Sequence, residues 1–153
     1  MLVQGKLLYP KDDLTLVYQI RRKVFIDELN NLESNVFDDY DSDAIHALIY
    51  GSTEQMKAVA TGRIFFEKDR CYLSQIAVLK EYRGSGYGDL VVRMLLNKAF
   101  NSHISTIYIK NISVDLLPFF ERVGFQVDND EINNTNDIQL KINMNMFRKG
   151  CSK

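Results

Sequence analysis

Arg83-Gly84-Ser85-Gly86-Tyr87-Gly88 is the stretch of this chain best suited to chemistry. It follows an apolar run, Ile76-Ala77-Val78-Leu79, and leads directly into a segment of helical periodicity. The first N–H groups of a helix have no partner within it, and the helix dipole places partial positive charge there. Glycines let that backbone approach an anion without a Cβ in the way. A strand, a glycine turn and a helix in this order therefore suit a phosphorylated ligand, with Arg83 adding fixed charge at the rim. Two common phosphate motifs do not fit. The dinucleotide fingerprint needs G-x-G-x-x-G, but the residue in the third glycine's register is Asp89, and the next strand ends on Lys110 where an acidic ribose partner belongs. A P-loop needs Lys-Ser/Thr after its last glycine, and Gly88 is followed by Asp89-Leu90. The spacing that remains is R-x-x-G-x-G, from Arg83, Gly86 and Gly88.

The elements that position this turn can be read on either side of it. Leu2, Val3, Leu7 and Leu8 suggest a first strand closed by Pro10, and Leu16, Val17, Ile20, Val24 and Phe25 recur at helical spacing, giving a helix from about Asp13 to Glu28. Residues 30–43 are polar and acidic and read as a loop or short helix. Runs 45–50, 58–66 and 72–79 read as strands, the first two joined by Gly51-Ser52-Thr53-Glu54-Gln55 as a hairpin connection. After the glycines, Leu90, Val91, Met94, Leu95 and Ala99 mark a helix with an Asp89–Arg93 pair on its outer face. A strand over 104–110, a short helix over 114–122 stopped at Gly124, and an alternating strand over 138–146 with one wet face complete the order. The result is β-α-β-β-β-α-β-α-β-β. Tight turns imply an antiparallel region, and the strand-helix-strand unit from Tyr72 to Lys110 implies a parallel pair with a right-handed crossover. The expected class is α/β, with a mixed, mostly antiparallel central sheet and flanking helices.

Composition narrows the function classes. The 153 residues fit a single domain over 1–153, and 46% hydrophobic with 25% charged residues is ordinary for a globular protein. A formal net charge of -1 argues against a nucleic-acid footprint for the whole domain. No apolar run reaches the roughly 18 residues of a membrane helix, and no signal-peptide core precedes the first strand. Cys71 and Cys151 form neither a disulfide framework nor a metal-ligand spacing, so no metal is expected and a cytoplasmic location is the default.

Three segments in order resemble the GNAT superfamily of N-acetyltransferases. Arg83 to Gly88 resembles that family's pyrophosphate-binding motif, preceded by Ile76-Ala77-Val78 as its central strand. One strand and one helix later, Phe119-Phe120-Glu121-Arg122-Val123-Gly124-Phe125 resembles the signature F-Y-E-K-x-G-F. Upstream, residues 20–28, then Asp38-Asp39-Tyr40-Asp41 and His46-Ala47, look like the helix, acidic loop and strand of a bacterial subgroup. The resemblance implies a GNAT-like acyl-CoA N-acyltransferase fold, acetyl-CoA as cofactor, and acetyl transfer to the primary amine of a small molecule or peptide in a ternary complex. It also implies that a bulge splays the fourth strand from the fifth, and that the cofactor's pantetheine arm docks in the gap.

Carried over residue by residue, Ile76, Ala77 and Val78 would align the arm and thioester by their main chain. Arg83, Gly84, Ser85, Gly86, Tyr87 and Gly88 would hold the diphosphate, and Ser113 and Phe120 would lie along the cofactor. Two departures stand out. Phe120 replaces a Tyr that commonly protonates the leaving thiolate, and Ser113 replaces an Asn or Gln. The stretch Leu73-Ser74-Gln75 lacks the Glu that many relatives use as a base. Glu28, the Asp38–Asp43 cluster and His46 are the remaining candidates for proton transfer from the amine. These departures keep a second reading open, an acyl-CoA-binding sensor with weak catalysis. A homodimer formed along an exposed final strand is a further expectation.

Overall fold

The computed structural model describes residues 3–51, 56–128 and 137–145. The 52–55 connection, the polar loop 129–136, Leu2 and Cys151 lie outside the described residues. The elements are β1 (Gln4–Leu8), α1 (Thr15–Arg21), α2 (Glu33–Val36), β2 (Ile45–Gly51), β3 (Lys57–Glu67), β4 (Arg70–Val78), α3 (Tyr87–Asn101), β5 (Thr106–Ser113), α4 (Leu117–Val123), β6 (Gln126–Val127) and β7 (Asp137–Asn143). They form one seven-stranded sheet in the order β1-β2-β3-β4-β5-β7-β6. Every neighbouring pair is antiparallel except β4–β5, the pair joined through α3. The fold is the mixed, mostly antiparallel α/β architecture expected from the sequence.

Two apolar clusters sandwich the sheet. On one face Val91, Val92, Leu95 and Leu96 of α3 pack with Leu73, Ile107, Ile109, Leu140 and Ile142. On the other, Val17, Ile20 and Val24 cover Leu8, Leu48, Ala77 and Leu79. The periodicity of α3 thus follows from its buried stripe, and Asp89 and Arg93 pair at 2.8 Å on its outer side.

Three segments differ from the simple periodic reading. The first helix changes type in mid-course: its second half, Arg22–Glu28, is π-helical. The last strand ends at Asn143, where Met144 and Asn145 enter a helical turn; Met146, expected in the strand, lies outside the described residues. Nor is β7 an exposed edge. It lies between β5 and the two-residue β6, so the seam suggested for a dimer is already occupied by the chain's own strands.

The strand pattern is broken at three places, at Ile49–Tyr50 of β2 against β3 and, closer to the glycine turn, in β4 and β5. In β4, Gly62 of β3 faces two residues, Gln75 and Ile76, and Gln75 takes a left-handed φ of 57°. An extra residue inverts the side-chain alternation beyond it. Cys71 and Leu73 therefore point to the α3 face, and so do Ile76 and Val78. In β5 the same happens opposite Gln139: Lys110 and Asn111 share one partner position, Asn111 has φ 55°, and Ile109 and Ile112 both face α3.

Candidate functional site

The bulges of β4 and β5 lie on the one parallel pair among the described residues, and that pair does not stay together. β4 and β5 are in register at Cys71↔Ile107 and Tyr72↔Tyr108 and at no later pair among the described residues. Beyond Tyr72 the strands diverge, leaving a V-shaped gap bordered by Ile76, Val78 and Ile112, all half-buried. A sheet interior normally pairs its main-chain groups. Here one side of β4 is left to face a gap. Leu79 donates its N–H to the Val59 carbonyl at 2.9 Å, and Ala77 is in register with Thr61. Adjacent residues turn their main-chain groups to opposite sides, so those of Val78 face the gap. Ala77, expected among the cofactor contacts, lies on β4 in register with Thr61 of β3, and its methyl group is buried beneath α1.

The glycine turn closes the wide end of the gap. Gly84 and Gly86 have φ values of 83° and 88°, in the left-handed region that side chains disfavour, and a Cβ at either would meet nothing within 4 Å. Gly86 is the N-cap of α3, and no side chain caps the helix there. Gly84, Ser85 and Gly86 are exposed. Gly88 lies on the floor, where a Cβ would touch the Phe119 ring at 3.6 Å and Val78 at 3.7 Å in ordinary contact. The Tyr87 ring points inward and packs edge-on against Tyr82, so only its main chain belongs to the turn.

Arg83 is organised by the protein itself. Its Nη1 and Nη2 donate to the two carboxylate oxygens of Glu28 at 2.6 and 2.7 Å, and its Nε donates to the Val78 carbonyl at 3.0 Å. These hydrogen bonds hold the Glu28 carboxyl below the usual carboxylate range and push Arg83 further up.

Comparison with known proteins agrees with this geometry. The Acetyltransferase (GNAT) family profile matches residues 14–125. The chain belongs to the GNAT family. The uncharacterized protein YyaT of Bacillus subtilis strain 168 is 30% identical over 122 residues, covering 78% of this chain and 80% of YyaT. In fold the GNAT chain is similar to Escherichia coli ElaA, with a TM-score of 0.76 at 18% identity over 92% of this chain and 99% of ElaA. It is also similar to the PaiA N-acetyltransferase of Thermoplasma acidophilum, whose structure is a complex with coenzyme A, with a TM-score of 0.69 at 10% identity over 94% and 99% of the two chains. The protein is thus a GNAT-type acyltransferase, and acyl-CoA-dependent acetyl transfer is the activity of its class.

The residues considered for proton transfer in this GNAT enzyme have other work. Glu28 is bound to Arg83. His46 is fully buried on β2. Its Nδ1 lies 3.2 Å from Nη2 of Arg21, a donor only, so Nδ1 accepts; its Nε2–H then donates to the Asp41 carbonyl at 3.3 Å. That is the neutral tautomer. Burial, followed by the Arg21 charge, lowers the His46 pKa, so the ring resists protonation. Both ring nitrogens of His46, a candidate base by sequence, are thus engaged by the protein.

The acidic stretch is not a wet loop either. Asp41 is buried and accepts from Arg21 at 2.7 Å and from Arg63 at 2.8 Å. Asp38 takes both Nη groups of Arg63, at 2.6 and 2.8 Å. Arg63, 2% exposed in the middle of β3, also donates its Nε to Ser74 Oγ at 2.8 Å, beside the β4 bulge. Burial alone would raise the Asp41 carboxyl; hydrogen bonds and charge from Arg21 and Arg63 outweigh it and lower the net value. Only Asp39 and Asp43 of the cluster face solvent. The sequence reading missed Arg21 and Arg63. The signal available was their excess of acidic neighbours in a segment too apolar on its flanks to be a free loop.

Phe120, expected along the cofactor, instead lies in the core, 3% exposed, with edge-on contacts to Phe119 and Phe125. Phe119 is the ring that reaches the floor beside Gly88. Ser113 ends β5 exposed, and its Oγ accepts from the Asp115 N–H at 3.4 Å. Cys71 is buried, and desolvation pushes its thiol up to about 12, so it remains protonated. Among the described residues no group of three His, Cys, Asp or Glu side chains could hold a metal ion, and no helix is long and apolar enough to cross a membrane.

Proposed function

We propose that this GNAT domain, residues 1–153, transfers an acetyl group from acetyl-CoA to the primary amine of a small molecule or peptide in the cytoplasm, by direct transfer in a ternary complex. The observation that carries the reading is the gap between β4 and β5, opened by bulges in both strands beside a helix N-terminus with no side-chain cap. The residues present fit the cofactor. Two left-handed glycines with open space above them leave room for phosphate oxygens, and the part of β4 beyond Tyr72, which β5 does not pair, leaves main-chain groups for an extended arm.

When bound, acetyl-CoA supplies the thioester carbonyl that the amine attacks. The N–H groups of Gly84 to Gly88 hold the diphosphate at the positive end of α3. Main-chain groups of Ile76 and Val78 bind along the gap and hold the carbonyl where its developing charge meets an N–H donor. Ser113 adds a hydroxyl at the far strand. Phe120 supplies no proton, and the thiol, with a reference pKa near ~8.5, leaves without one. The buried Cys71 thiol supports direct transfer rather than relay through that cysteine. Glu28 is held by Arg83, and His46 by Arg21 and the Asp41 carbonyl, so neither is assigned the amine's proton.

The test is thiol release from acetyl-CoA across a panel of small and peptide amines. Release that saturates in both acetyl-CoA and one amine class is expected. Saturable binding of acetyl-CoA with no amine-dependent release from any acceptor would replace the enzyme with the sensor reading.

A further inference from the structure

The structure assigns Glu28 a positioning role: through Arg83 it sets the orientation of the Val78 peptide that lines the gap. This rests on the cofactor reading above and adds a residue to it. The chain of contacts is continuous. Glu28 is the last residue of the π-helical turn and presents both carboxylate oxygens to the two Nη groups of Arg83. A two-point pair fixes the plane of a guanidinium as well as its distance. With that plane fixed, Nε points back at the Val78 carbonyl, 3.0 Å away. Val78 is the last residue of β4, past the point where β5 has departed, so among the described residues no strand pairs with it on that side. Arg83 holds its carbonyl instead. That carbonyl shares its peptide plane with the Leu79 N–H, which donates to the Val59 carbonyl of β3 at 2.9 Å, so β3 and Arg83 hold the plane from opposite edges and Arg83 fixes the edge at the mouth of the gap.

Two features support this role over a simple surface ion pair. The helix reaches Arg83 with Glu28 only at the end of seven π-helical residues, a geometry rare in helices and common at functional positions. Arg83, in turn, spends its charge on Glu28, so the pair is neutral overall and is poorly suited to attracting phosphate. Phosphate attraction then falls to the glycine amides, and Arg83 acts as a strut between the π-helical end of the first helix and β4.

The strut makes a prediction that a phosphate-binding arginine would not. Two probes separate the ends of the cofactor: coenzyme A, and adenosine 3′-phosphate 5′-diphosphate, which has the diphosphate and no pantetheine arm. In E28Q the dissociation constant of coenzyme A should rise by about tenfold, the scale of one charge-assisted hydrogen bond. That of the armless probe should stay within about twofold, inside the scatter of a changed surface charge. R83K, which keeps the charge and loses the fork, should show the same selective loss and remains informative if E28Q does not fold. An equal loss for both probes would mean that Glu28 aims Arg83 at the phosphates, and would overturn the assignment. Unchanged binding of both probes in both variants would overturn it as well. Wild-type protein that binds neither probe would instead bring down the cofactor reading beneath it.

Discussion

The Asp41 network and the glycine turn each gather strong hydrogen-bonding groups into a small volume, and they use them in opposite ways. Around Asp41 the side chains of Arg21, Arg63, Asp38, His46 and Ser74 consume one another, and the only buried side-chain nitrogen or oxygen without a partner among the described residues is Arg21 Nε. At the turn, the first N–H groups of α3 meet no capping side chain, and the space above Gly84 and Gly86 is open. Burial explains the contrast. Charges withdrawn from water must be paired, since an orphaned ion in the interior costs several kcal/mol. Exposed amides are satisfied by water and can exchange it for a ligand. Density of charge therefore locates the structural network, and unspent donors locate the binding site.

The hardest test of that contrast removes the centre of the network. D41A leaves Arg21 and Arg63 facing each other's charge in the interior and should lower unfolding free energy by about 3–5 kcal/mol, the range for breaking a buried ion pair. Urea denaturation measures it. A loss under about 1 kcal/mol would show that solvent reaches the network, and the contrast with the turn would collapse.

The matching test fills the turn. G86V places a branched side chain at φ 88°, at a strain of about 1–2 kcal/mol. Its side chain projects into the open space assigned to phosphate. Coenzyme A affinity should fall by about 10- to 100-fold, the cost of losing one or two charge-assisted hydrogen bonds. Isothermal titration reads this directly. A folded G86V that binds like wild type would place the diphosphate elsewhere.

How much of this was legible in sequence depended on where the hydrogen bonds go. The α3 helix and its glycine turn were readable because both are local: a stripe at 3.6-residue spacing and a run of glycines act within one turn of backbone. The bulges were not. Gln75 and Asn111 are ordinary strand residues by type, and their φ values of 57° and 55° follow from how β3 and β7 pair with them. The family resemblance implied the first bulge, and nothing in the chain implied the second. The π-helical stretch was equally silent, since Val24 and Phe25 fit an α-helical pattern as well. Arg21 was passed over and His46 misread for a third reason. A charge at an inward position reads as outward or catalytic until its partner is known, and their partner Asp41 lies in a loop.

His46 offers a milder test, through pH. Its ring is held neutral, with a pKa below the ordinary 6.5. A group depressed on folding binds its proton more readily when unfolded. Its contribution to stability is therefore complete above pH 6.5 and declines as pH falls below that value toward the folded pKa. The urea midpoint of the wild type should drop between pH 7 and pH 5, a window above the carboxylates. H46Q should be less stable at pH 7 but flatter across the window. Parallel curves for the two proteins would mean that the ring titrates normally and is reached by water.

The smallest effect comes from Ser113, which stands between the two regimes. Its hydroxyl accepts from the Asp115 N–H at 3.4 Å, a long bond for a cap, and a hydroxyl that accepts still has a proton to donate. A residue of the spent kind would register only in stability, and one of the open kind only in binding. S113A should cost about 0.5 kcal/mol in unfolding free energy, the low end for a lost cap. Coenzyme A affinity should fall by about two- to fivefold, the worth of one neutral hydrogen bond. Because a hydroxyl accepts and donates independently, both losses are compatible in one side chain. A stability loss without any change in affinity would assign Ser113 wholly to the start of the turn after β5, and the far wall of the gap would then bind through main chain alone.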